Sequence, residues 1–83
     1  MIAPDERARQ VHLVLSLLST HARRPLADDE ATRRLGFAEI GVSSLALAAL
    51  VVELEDRLDR PFDFEAFAGV QRVGDLLRAV GLE

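Results

Sequence analysis

Two adjacent serines, Ser43 and Ser44, are the residues of this chain whose surroundings suit covalent chemistry. They follow Gly41-Val42 and precede Leu45 and an apolar-rich run that reaches Leu58. A helix starting at Ser44 would offer unpaired backbone amides and the positive end of its dipole there, which favours a phosphate attached to a hydroxyl of the first turn. Simple capping suits the same position, because a Ser43 hydroxyl can accept a bond from an amide of that turn. On local grounds both serines could be caps and nothing more. The remaining candidates are weaker. His12 and His21 have no thiol or organised carboxylate pair near them in sequence, the pattern of structural or solvent-exposed histidines. Glu53, Glu55, Asp56 and Asp59 read as a solvated acidic helix face. Gly41-Val42-Ser43-Ser44-Leu45 lacks the closing glycine of a nucleophile elbow, and there is no glycine-rich phosphate loop and no metal-ligand cluster. The expectation is no catalytic residue, no metal site and no enzyme activity.

The elements that must position these serines are bounded by size. With 83 residues, 49% hydrophobic and 29% charged, the chain is long enough for one domain, expected over 1–83, and too short for two. Folding a domain this small hides only about 60% of the open chain's surface, so a deep enclosed active site is hard to fit. The absence of cysteine removes disulfides, thiolate metal sites and thiol nucleophiles together. Net charge is −4 and all ten positive residues are arginine, a balance that argues against binding nucleic acid, where a basic face is needed. The amino terminus lacks a basic segment followed by an apolar run, and no stretch approaches the roughly 18 apolar residues of a membrane span. A cytoplasmic, non-membrane monomer is expected.

Helical periodicity organises most of the chain. Ala8, Val11, Val14, Leu15 and Leu18 recur at three- and four-residue intervals, predicting a first helix over about 5–19, capped by Asp5 and widened on its buried side by Leu13 and Leu17. A long connection over 20–43 follows. Within it, Asp28 to Leu35 has acids first and arginines last, which suits a short helical turn stopped by Gly36, while Phe37 and Ile40 pin the connection to the core. Ser43 caps a second helix over about 44–59. Its core face carries Leu47, Leu50, Val51, Leu54 and Leu58; Leu45, Ala48, Ala49 and Val52 fall opposite, either as a partner-facing surface or simply as good helix formers. Arg60-Pro61 ends it. Asp63 then caps a short helix over about 63–68 whose Phe64 and Phe67 plug the core, Gly69 ends it, and Val73, Leu76, Leu77 and Val80 give a last helix over about 72–80 closed by Gly81. The fold class is all-α, a four-helix bundle with a long first loop and a short third helix.

The run Phe37-Ala38-Glu39-Ile40-Gly41-Val42-Ser43-Ser44-Leu45 and the helix after it resemble the phosphopantetheine attachment region of acyl and peptidyl carrier proteins. Arg60-Pro61-Phe62-Asp63 and Arg72-Val73-Gly74-Asp75-Leu76-Leu77 resemble that family's break after the second helix and the opening of its last helix. The resemblance implies that Ser44 holds 4'-phosphopantetheine, transferred from coenzyme A by a phosphopantetheinyl transferase. It further implies partners that load and process a thioester: an acyl- or aminoacyl-activating enzyme and downstream enzymes of polyketide, non-ribosomal peptide or antibiotic biosynthesis. Val42, Ser43, Leu45, Ala48, Ala49, Val52, Glu53, Glu55 and Asp56 would form the docking surface. Three positions depart from the family pattern: Ser43 stands where aspartate is usual, and Ala46 and Ala49 are neutral where many carriers show acids. The start at Met1 without a flanking linker fits a freestanding carrier. A small all-helical interaction domain without a prosthetic group is the alternative.

Overall fold

Pro4 opens the first helix, because its fixed φ suits a first turn and its missing N–H would have had no partner there. The structure, a computed structural model, describes residues 3–83. Helix α1 (Pro4–Ala22) runs beyond the expected range at both ends. Its N-cap is Ala3, so Asp5 does not cap it but lies within the first turn, where its charge suits the dipole. Val11, Val14, Leu15 and Leu18 are buried. Ala8, expected in the same stripe, is exposed.

The long connection contains α2 (Glu30–Arg34), started by Asp29, whose Oδ1 accepts a 2.7 Å bond from the amide of Thr32. Leu35, not Gly36, leaves the helical conformation first. Gly36 instead forms an isolated antiparallel bridge with Arg72, flanked by bonds from Phe37 N to Gln71 O and from Val73 N to Leu35 O, both 3.0 Å. This staple fixes the connection against the start of the last helix, and Phe37 and Ile40 are buried beside it.

Helix α3 (Ser44–Leu58) buries Leu50, Val51 and Leu54, with Leu47 and Leu58 partly buried on the same side. Asp59 ends it in the left-handed conformation at φ 54°, and Pro61 prevents resumption. The expected short third helix is a single 3-10 turn, Phe64–Phe67, capped by Asp63. Phe67 packs on the core, but Phe64 is 65% exposed. Phe62 takes its place: its amide is held by Glu55 Oε2 at 2.8 Å, and its ring meets Phe67 edge to face at 6.0 Å. Helix α4 (Val73–Ala79) contributes Val73, Leu76 and Leu77. Gly81, at φ 81°, turns the chain so that the Leu82 amide reaches Leu77 O at 2.8 Å and the Leu82 side chain enters the core. The result is four helices around one leucine- and valine-rich core, with no strand among the described residues.

Candidate functional site

The turn into α3 separates the roles of the two serines. Ser43 has extended backbone (φ −75°, ψ 167°), and its Oγ accepts a 3.1 Å bond from the amide of Ala46, as an N-cap does. Its carbonyl accepts from Leu47 N at 2.9 Å. Ser44, the first helical residue, is exposed, and its hydroxyl has no hydrogen-bond partner among the described residues. With Ala46 N satisfied by the cap, the amides of Ser44 and Leu45 remain open to solvent beside that hydroxyl. Gly41, at φ 75°, makes the turn that delivers the chain to this point, a conformation strained for any side chain.

Beside Ser44 lies an open cleft of about 690 Å³, within the range of roughly 300–1,000 Å³ typical of ligand clefts. One wall is the connection from Gly36 to Ser43, the other is Val70, Gln71 and Arg72, and Leu47 and Val42 line its apolar side. The Gly36–Arg72 bridge holds the walls together. Two charged residues line it. Glu39 accepts the amide of Gly36 through Oε1 at 2.9 Å, while Arg72 forms no ion pair among the described residues. Asp75, the nearest acid in sequence to Arg72, is engaged elsewhere: its Oδ2 accepts the amides of Gln71 and Arg72, and its Oδ1 pairs with Arg78. The amide of Gln71, then that of Arg72 and the Arg78 guanidinium, hold its carboxyl below the ordinary aspartate range, outweighing the opposing effect of burial.

The expected docking residues do not all share one surface. Leu45 is 81% and Val52 55% exposed, and Ala48, Ala49 and Asp56 are exposed on the same helix. Val42 is a correction: it is only 5% exposed, lining the cleft and not the outer side of α3, with its amide donating to Phe37 O at 2.9 Å. Glu55 is half-buried, with Oε2 committed to Phe62 N, and Glu53 pairs with Arg57 at 3.4 Å. Neither histidine joins the site: His12 meets only Ser16 on the exposed side of α1. The second cleft wall was not anticipated from the sequence. Its signal was an arginine at Arg72, where a capping Ser, Thr, Asp or Asn would ordinarily precede a helix.

The sequence model of the phosphopantetheine attachment site matches residues 12–80, and the chain belongs to that family. Domains of this family carry covalently attached 4'-phosphopantetheine, are themselves non-catalytic, and work with phosphopantetheinyl transferases and biosynthetic enzymes. No curated protein and no solved structure matches the chain. No helix among the described residues is long and apolar enough to cross a membrane.

Proposed function

We propose that Ser44 is the attachment point of the phosphopantetheine arm, and that the protein is a carrier that tethers acyl or aminoacyl groups and presents them to partner enzymes. One observation supports this above the rest: of two adjacent serines, the hydroxyl of Ser43 is consumed in capping α3 while that of Ser44 is exposed and unbonded. The surroundings fit the group. A phosphodiester on Ser44 Oγ lies where the free amides of Ser44 and Leu45 and the helix dipole favour negative charge, and Ser44 is far enough out of the core to enter a transferase. When bound, the arm supplies a terminal thiol that holds an acyl group as a thioester. The chain's own residues orient the anchor and select partners; tethering contributes by effective concentration and not by lowering a barrier within the carrier.

Partner selection falls to the exposed side of α3. Leu45 and Val52 give an apolar contact with Ala48 and Ala49 between them, and Asp56 with the Arg57-paired Glu53 supplies acidic guidance from farther down the helix. A patch of this size suits weak, rapidly released docking, as a shuttle between a loading enzyme and later enzymes requires. We place the carrier, as a cytoplasmic monomer, in polyketide, non-ribosomal peptide or related specialised metabolism. The test is intact mass after incubation with coenzyme A and a permissive transferase. Wild type and Ser43→Ala are expected to gain one phosphopantetheine and Ser44→Ala none. Gain in Ser44→Ala would move the anchor, and no gain in wild type would leave a helical interaction domain.

A further inference from the structure

We infer that the Arg72 guanidinium binds the phosphodiester that joins the arm to Ser44, holding the root of the arm against the cleft. The inference rests on Ser44 carrying the arm and goes beyond it by assigning a residue on the opposite wall. Ser44 and Arg72 line the same open cleft, one at the start of α3 and the other just before α4. The backbone of Arg72 is not free to drift: it is bridged to Gly36, and its amide donates to Asp75 Oδ2 at 3.0 Å. Its side chain is exposed and forms no ion pair among the described residues.

No acid near it pairs with it: Glu30 and Glu83, which border Arg72 on the side of α2, pair with Arg34 and Arg33. Both oxygens of Asp75 are occupied, Oδ2 by the amides of Gln71 and Arg72 and Oδ1 by Arg78. Glu39, the acid on the facing wall, is held by the amide of Gly36. A cation also sits against local preference here, because Arg72 is the N-cap of α4, where the helix dipole is positive and an oxygen-bearing side chain is favoured. A phosphodiester in the cleft offsets that placement, and the planar fork of a guanidinium matches two phosphate oxygens. Since the contact is open to water, it is partial, exchanges rapidly and is weakened by salt.

The test compares the loaded wild type with loaded Arg72→Ala, Arg72→Lys and Arg78→Ala, each first weighed intact and checked for unchanged helicity. In wild type, the phosphorus resonance of the diester and the Arg72 Nε–Hε resonance are expected to move when salt is raised from low to about 0.5 M, where the Debye length has shortened to roughly 4 Å. Arg72→Ala should place the phosphorus resonance at its high-salt position from the outset and abolish its salt dependence. Arg72→Lys should keep part of the dependence and Arg78→Ala all of it. A phosphorus resonance identical in wild type and Arg72→Ala at low salt, with the mass gain present in both, would overturn the role of Arg72 while leaving Ser44 as anchor. A missing mass gain in wild type would instead remove the anchor itself, and the inference with it.

Discussion

At the scale of single residues, the division of labour between Ser43 and Ser44 depends on one hydrogen bond. Ser43 Oγ holds the Ala46 amide, which fixes where α3 begins and therefore which serine is first in the helix. Replacing an N-cap serine by alanine typically costs about 1 kcal/mol, and for a domain of this size each kcal/mol moves the melting temperature by roughly 4–8 °C. Ser43→Ala should therefore melt several degrees lower while still accepting the arm. Ser44→Ala should leave the melting temperature within about 2 °C, since its hydroxyl supports nothing in the fold. A thermal melt of both variants checks this: a large loss in Ser44→Ala with none in Ser43→Ala would reverse their roles. Because serine replaces the aspartate usual in the family, the cap is neutral here and adds no charge beside a diester.

Among the elements, α2 and α4 are held by carboxylate caps, and this makes their pairing acid-sensitive. Asp29, bonded to the Thr32 amide, and Asp75, bonded to the Gln71 and Arg72 amides, both have folded-state carboxyls below the ordinary value of 3.8. A depressed folded value means that the stabilisation is complete above the unfolded-state pKa and is lost as pH falls through the folded one. Stability to urea should therefore drop as pH is lowered below about 4. Asp75→Asn should be less stable at pH 7 and show a shallower decline, whereas an unchanged slope would mean that the cap at α4 does not contribute. The sequence made the long amphipathic faces of α1 and α3 legible, since Val11 through Leu18 and Leu47 through Leu58 repeat over several turns. It was less informative where structure depends on pairing across the chain. Gly36 was expected to stop a helix and instead bridges Arg72; Phe64 was expected in the core, but Glu55 anchors Phe62 there first; and Val42 lines the cleft and not the outer side of α3. The serine pair was visible from residue types, while the cleft beside it was not, because its second wall comes from residues far along the chain.

Across the whole molecule, the cleft lies by the first turns of α3 and α4, while Val80, just after α4, is fastened by Arg60 from the end of α3. Three arginines from separate parts of the chain hold the residues after α4: Arg7 donates to Leu82 O at 2.7 Å, Arg60 to Val80 O, and Arg33, packed against Gly74 at the start of α4, pairs with Glu83 at 2.6 Å. Leu82 is essentially fully buried between them. The proposed role of Ser44 needs this asymmetry, because that serine must remain accessible while the core that orients α3 stays closed. Truncating a buried leucine to alanine costs roughly 2–5 kcal/mol, a large share of the about 4–12 kcal/mol expected for a domain of this length. Leu82→Ala should lower the urea midpoint steeply with its slope unchanged, whereas Arg7→Ala, which removes a bond at the surface, should cost much less. Loading the arm should in turn shift amide resonances over 36–45 and 70–73 and leave 80–82 unmoved. If Leu82→Ala cost under about 1 kcal/mol, well below the cost of emptying a packed site, or if loading displaced 80–82 as strongly as the cleft, the molecule would not be divided into a display surface and a locked core.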